Sequence, residues 1–253
     1  MDEELTETRD FWNRVAADWQ IQVGTDGDRN RRLNSDPVLW RLLGDVSGLT
    51  VLDAGCGTGY LSRKLHERGA QVTGVDLAEN MIAIARERSP GLDYRVDSCT
   101  RLETLGNDLF DRLVSNYVLM DLPDLAAALR SFHRVLKPDG LAILVFSHPC
   151  FPQGMAERNG ETIHYQWPFP YFEERKIVDP PWGHFTSDFI WFHRPLSAYW
   201  KAFGDAGFSV VDLEEPRILD DRFGHAASPE ELLNARTRPC SIAFKLRKEA
   251  DAA

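Results

Sequence analysis

The sequence has 253 residues, 43% of them hydrophobic, with 39 acidic and 29 basic side chains and a formal net charge of -10. That length and composition suit one large α/β domain, or one domain with a sizeable insert, around a substantial core. The acidic excess disfavours nucleic acid as a general partner, no apolar run is long enough to span a bilayer, and the Met-Asp-Glu-Glu start lacks the basic and apolar regions of a signal peptide.

Residues 3–20 read as a helix, because Leu5, Phe11, Trp12, Val15 and Trp19 recur near helical spacing. Gly24-Thr25-Asp26-Gly27-Asp28 breaks that pattern. Arg29, Arg31 and Arg32 then form a short basic cluster, as Lys245, Arg247 and Lys248 do near the other end; ordinary solvated charge is the simpler reading of both. A second helix is predicted over 36–44, with Asp36 as its cap, Pro37 in its first turn and Leu39, Leu42 and Leu43 as its apolar face.

Strand and helix alternate over the next hundred residues. Strands are predicted at 49–53, 71–75, 92–96, 111–115 and 140–146, and helices at 59–67, 79–88 and 124–135. That rhythm points to a parallel sheet covered on both faces. Lys137-Pro138-Asp139-Gly140 reads as a tight turn into the fifth strand. Residues 148–194 break the rhythm with six prolines and many large rings, which a disordered linker would not carry. They read as an ordered insert of short extended pieces. A helix at 195–204 and strands at 208–213 and 241–246 complete the chain. The resulting division is an N-terminal helical cap (1–45), a nucleotide-binding core (46–147), an aromatic-rich insert covering the substrate (148–194) and a C-terminal completion of the sheet (195–253).

The chemistry concentrates at strand ends. Thr50-Val51-Leu52-Asp53 is a short strand ending in an acid, and glycines follow at 55, 57 and 59. Glycine lets a ligand approach the main chain closely. The loop has neither Gly-x-Gly-x-x-Gly nor Gly-Lys-Ser/Thr, so it suits a nucleoside carried without phosphates. Asp53 can accept from a ligand ammonium or orient the loop. Asp76 ends the second strand, where an acid can accept from both hydroxyls of a ribose. Asp97 ends the third and can hold an exocyclic amine of a base. Asn116 ends the fourth and can present its side chain or main chain to the polar tail of the ligand.

Val-Leu-Asp-Ala-Gly-Cys-Gly-Thr-Gly, with Gly74-Val75-Asp76 downstream, resembles the class I S-adenosylmethionine-dependent methyltransferases. Val-Asp97-Ser98, Phe110-Asp111 and Leu136-Lys137-Pro138-Asp139-Gly140 are similar to later motifs of that family, and the likeness covers about residues 49–147. The resemblance implies a Rossmann-like, mostly parallel seven-stranded sheet of order 3-2-1-4-5-7-6 and S-adenosyl-L-methionine as cofactor. It implies that Gly55, Cys56 and Gly57 line the methionine part of the cofactor near Asp53, and that Asp76 binds the ribose. Leu77 and Met81 would then pack on ribose or adenine. Asp97 would meet the adenine amine, Ser98 the ring edge and Asn116 the methionine portion.

The acceptor side is read from the chain around that loop. His148 leaves the fifth strand toward the crevice, and its ordinary pKa suits a general base; the other reading is a histidine that holds the insert. Tyr117 faces the same region. Trp12 and Trp19, seven residues apart, either contact the acceptor or pin the helix. The expected reaction is methyl transfer to nitrogen or oxygen of a small molecule in a closed aromatic pocket. The alternatives are carbon methylation of a quinone-like ring and tRNA methylation. No His/Asp/Glu set has metal-ligand spacing, so no metal is expected. The four cysteines stand apart at 56, 99, 150 and 240, which fits a reduced cytoplasmic compartment. The chain is expected to be a monomer or a homodimer.

Overall fold

A computed structural model describes residues 3–152, 155–160, 162–217 and 238–250, so parts of the cap, insert and C-terminal segments drawn from the sequence lie outside the described residues. Five strands are parallel: β1 (Thr50–Ala54), β2 (Gln71–Asp76), β3 (Asp93–Val96), β4 (Phe110–Asn116) and β5 (Leu136–Ser147). Two more, β10 (Phe208–Glu214) and β11 (Ser241–Lys248), complete one seven-stranded sheet of order β10-β11-β5-β4-β1-β2-β3. β11 runs antiparallel to both of its neighbours. Counted as core strands alone, this is the expected order 3-2-1-4-5-7-6.

Alternate residues of the central strands feed two separate cores. Leu52, Ala54 and Leu144 meet helix α5 (Leu125–Val135) and helix α6 (Leu196–Asp205) through Phe132, Tyr199 and Phe203. Val51, Val114 and Val145 meet helix α2 (Asp36–Leu43) and helix α3 (Tyr60–Glu67) through Leu39, Leu42, Leu61 and Leu65. Helices on both faces are why these strands read as unbroken apolar runs. Helix α4 (Glu79–Arg88) packs Ile82 and Ala85 against Tyr94 of β3.

The second helix starts differently from the expectation. The long helix α1 (Glu3–Val23) is followed by a π-helical turn, Arg31–Ser35, that runs straight into α2. Asp36 is therefore already helical and caps nothing. Its buried carboxylate accepts from the Tyr60 hydroxyl, and burial pushes its pKa up to about 6. The fifth strand also differs. Phe110 pairs with Leu136 and Arg112 with Leu141, so Lys137–Gly140 form a bulge inside β5 rather than a turn before it, with Asp139 at φ +60°. In the tail, Lys248 is buried and its ammonium donates to Asp108 and to the Leu136 carbonyl, both at 2.7 Å, so that cation is structural.

The insert forms two antiparallel hairpins, β6 (Ala156–Asn159) with β7 (Thr162–Tyr165) and β8 (Arg175–Asp179) with β9 (Phe189–His193). Phe185, Ile190 and Phe192 close a small core with Phe11 and Val15 of α1. The second hairpin thus presses on the outer side of α1, and α1 lies along α4, where Asn13 donates to Glu79 and accepts from the main-chain and side-chain N–H groups of Asn80.

Candidate active site

At the carboxyl end of β1 the chain turns sharply. The Gly55 and Cys56 N–H groups both donate to the Val75 carbonyl, at 2.8 and 2.9 Å. Gly55 has φ +79°, and a Cβ there would stand 2.4 Å from Cγ2 of Val118, so both angle and space require glycine. The Asp76 carboxylate clamps the next segment: Oδ2 accepts from Gly57 N–H and Oδ1 from Ala78 N–H, each at 2.9 Å. Burial raises its pKa, and these main-chain donors work against that rise. Each oxygen keeps a lone pair for a further donor.

One cleft opens over this loop. It is lined by Asp53, Gly55, Cys56, Gly57, Asp76, Leu77, Met81, Ser98 and Asn116, and by Trp12, Trp19 and Tyr117. Nine of the ten cofactor residues expected from sequence are therefore gathered in one place, with three of the four acceptor-side residues. Asp53 is buried and accepts from the Ser62 hydroxyl at 2.6 Å; burial raises its pKa to about 7, with no cation bonded to it. Oδ1 of Asn116 is buried and unpartnered. An unpaired buried acceptor and an uncompensated buried carboxyl are the features a polar ligand bearing an ammonium would satisfy.

Asp97 does not line the cleft. Its Oδ1 accepts from Ser98 and Glu103 N–H groups, and its Oδ2 accepts from the N–H and hydroxyl of Thr104. Those four bonds turn the carboxylate into the loop it orders, which in turn brings Ser98 and Cys99 to the cleft wall.

His148 is likewise outside the cleft, and the base reading is corrected. Its Nδ1 accepts from the Cys150 N–H at 3.1 Å, which leaves the proton on Nε2, 2.9 Å from Oε1 of Glu215. With both ring nitrogens engaged, no lone pair is free for an acceptor. Burial lowers its pKa, and Glu215 opposes that shift. The residue holds the start of the insert.

The roof of the cleft is α1. Trp12 and Trp19 meet edge to face at 5.1 Å, and Phe185 stands behind Trp19 at 6.1 Å. None of the described side chains between residues 148 and 194 lines the cleft. The insert acts through α1 rather than by covering the cleft itself. Two of its polar rings bond within the insert, Trp191 to Asp179 and His193 to the Tyr171 carbonyl, and His184 bonds to the Asp18 carbonyl of α1.

Two charged lining residues were not singled out for the site from the sequence. Arg31 comes from the short basic cluster, but it is buried, paired with Asp28, and lies 5.2 and 5.4 Å over the rings of Trp19 and Tyr117. Its only local signal is an acid three residues earlier. Asp121 ends a 3-10 turn, Leu119–Asp121, just beyond β4. The signal for it is an acid shortly after a strand end on the ligand-binding edge. The cleft thus holds three carboxylates, Asp53, Asp76 and Asp121, against one cation. Among the described residues no group of three His, Cys, Asp or Glu side chains is gathered as a metal would need, and no helix is long and apolar enough to cross a membrane.

Residues 52–144 match the family model described as a methyltransferase domain. The ubiquinone biosynthesis O-methyltransferase of Xanthomonas oryzae pv. oryzae (strain PXO99A) is 40% identical over 104 residues, which are 40% of this chain and 44% of that protein. The malonyl-[acyl-carrier protein] O-methyltransferase of Serratia marcescens is 41% identical over 110 residues, 42% of each. The similarity thus spans less than half the length of these relatives. Across the wider fold, the crystal structure of an S-adenosylmethionine-dependent methyltransferase from Mesorhizobium loti superposes with a TM-score of 0.70 at 27% identity, covering 83% of this chain and 96% of that one.

Proposed function

We propose, from the premise that this chain is by its core a class I S-adenosylmethionine-dependent methyltransferase, that it methylates an oxygen or nitrogen of a small molecule held beneath Trp12 and Trp19. The observation that carries this reading is the continuity of one cleft. It runs from Asp53 and the glycine loop, past Asp76 and Asn116, to Tyr117 and Asp121 under the two indoles.

The residues present fit the cofactor. Asp76 has acceptor capacity left for the ribose hydroxyls, Leu77 and Met81 offer apolar surface, and Asn116 has an unpartnered Oδ1. Asp53 would hold the ammonium of the methionine tail and Arg31 its carboxylate. The excess of carboxylates in the cleft favours a ligand of net positive charge. The cofactor supplies an already activated methyl group on a sulfonium. What remains for the protein is alignment and exclusion of water. Trp12 and Trp19 close the cleft from above, and their faces are compatible with a nearby cation. The names of the two curated relatives favour oxygen as the methylated atom.

Asp76→Ala tests the reading. It removes the ribose acceptor and unclamps Gly57 N–H, so affinity for S-adenosylmethionine measured by calorimetry should fall at least about a hundredfold, since bonds to a charged group contribute about 1.5–3 kcal/mol each. Unchanged affinity would overturn it.

A further inference from the structure

Two of the three carboxylates in the cleft have hydrogen-bond partners. Asp53 is bonded to Ser62, and Asp76 is bonded to two main-chain N–H groups. The side chain of Asp121 is half-buried, lines the same cleft, and has no hydrogen bond or ion pair among the described residues. Its position is nevertheless fixed. Its own N–H donates to the Val118 carbonyl at 2.8 Å, and the buried Arg194 donates through Nη2 to the carbonyls of Leu122 and Pro123, at 2.6 and 2.8 Å. A carboxylate held in place by its backbone, yet left unpaired where it lines the cleft, suits a partner that arrives with a ligand.

We propose that Asp121 is the proton acceptor of the methyl-transfer step and that the acceptor is therefore a hydroxyl compound; this rests on the methyltransferase reading above. A neutral amine attacks a sulfonium with its own lone pair and needs no base in that step. A hydroxyl is a weak nucleophile unless its proton is taken as the new bond forms. The balance is simple. The acceptor O–H proton passes to the Asp121 carboxylate and the oxygen–methyl bond forms. The methyl–sulfur bond breaks with its electron pair left on sulfur, and the proton is afterwards released to solvent. Neither other candidate competes: His148 lies outside the cleft with both nitrogens engaged, and Tyr117 is a phenol whose pKa burial raises further, so it stays neutral.

The surroundings make this base conditional on the cofactor. The ionisable groups that line the cleft with it are Asp53, Asp76, Arg31, Tyr60, Tyr117 and two thiols, and Tyr199 of α6, itself beside Arg194, feels its charge. Of the others, the Cys56 and Cys99 thiols are pushed up and stay neutral, and His193 on β9 is bonded to the Tyr171 carbonyl. Burial first, and the Asp76 charge second, favour the protonated form of Asp121 in the protein by itself. A sulfonium entering the cleft would act in the opposite sense and favour the ionised form, the form a base needs.

Proton linkage tests this without knowledge of the acceptor. S-adenosylmethionine and S-adenosylhomocysteine are titrated into the whole chain by calorimetry over a pH series, in two buffers of different ionisation enthalpy. The two ligands share the methionine ammonium and differ in the charge on sulfur. Within that series the wild type should release more protons with the sulfonium ligand than with the thioether. Asp121→Asn should release equal numbers with both and bind S-adenosylmethionine within about tenfold of wild type, and Asp121→Glu should restore the difference. A difference that persists in Asp121→Asn, or none in the wild type, overturns the inference. Failure of both ligands to bind would instead sink the methyltransferase reading itself.

Discussion

Burial holds the Asp53 carboxyl protonated up to about pH 7 in the protein by itself, and this has opposite consequences for folding and for binding. The unfolded chain gives up that proton near the ordinary aspartate value of about 3.9. A folded pKa above the unfolded one means that the native state holds more protons across the window between them. The contribution to stability is then whole at low pH and declines as pH rises toward 7. Binding runs the other way, because a ligand ammonium needs the ionised form. Affinity for S-adenosylmethionine should climb as pH rises through about 7 and then level off. Asp53→Asn should flatten that climb and abolish this share of the pH-dependent loss of stability. Parallel profiles for wild type and variant, by calorimetry and thermal melting, would argue against the role. The same scale shows why two expected site residues stand apart from the cleft lining. His148 finds its partner in Glu215, 67 positions away, and Asp97 spends itself on a loop six and seven residues on. Neither pairing has a local pattern, whereas Asp53, Asp76 and Asn116 are fixed by the ends of strands that can be read directly.

At the scale of elements, the glycine loop depends on a strand end it does not touch in sequence. Gly55 leaves space for Val118, the residue that carries the chain out of β4. Gly55→Ala forces a side chain into a left-handed conformation and into that contact, so unfolding in denaturant should show a loss of about 2 kcal/mol or more. Val118→Ala in the same background should recover only the steric part. The strands themselves were legible because each is short, apolar and bounded by an acid or a glycine. The start of β5 was not, since Pro138-Asp139-Gly140 has turn composition and only pairing with β4 reveals a bulge. The π-helical turn before α2 was equally hidden, because Arg31–Ser35 has one apolar residue, Leu33, and so no periodicity to read. The insert was legible as ordered from its rings, but the hairpins that hold them were not.

Across the whole molecule, the roof of the cleft is supported from behind. Trp12 and Trp19 face the cleft, while Phe11 and Val15 on the same helix face Phe185, Ile190 and Phe192 of the second hairpin. Phe11 is fully buried there. Phe11→Ala should cost about 3–5 kcal/mol of local packing and loosen α1 and hairpin together. Limited proteolysis should then cut within residues 3–23 and 175–193 sooner than in wild type, while affinity for S-adenosylmethionine falls. Unaltered cleavage of the hairpin would show that it stands independently of α1.

The place of β11 in the sheet has a consequence for synthesis. Residues 241–248 lie between β5 and β10, antiparallel to both. A chain leaving the ribosome amino end first presents β1 to β5 long before this strand exists. Until it arrives, the outer edge of β5 offers unpaired main-chain groups beside Leu144 and Phe146, a template for joining to another chain. Among the described residues the latest strand in the chain is thus the one that joins β10 to the rest of the sheet. Slow translation after residue 147 would lengthen the interval in which the nascent protein needs a chaperone.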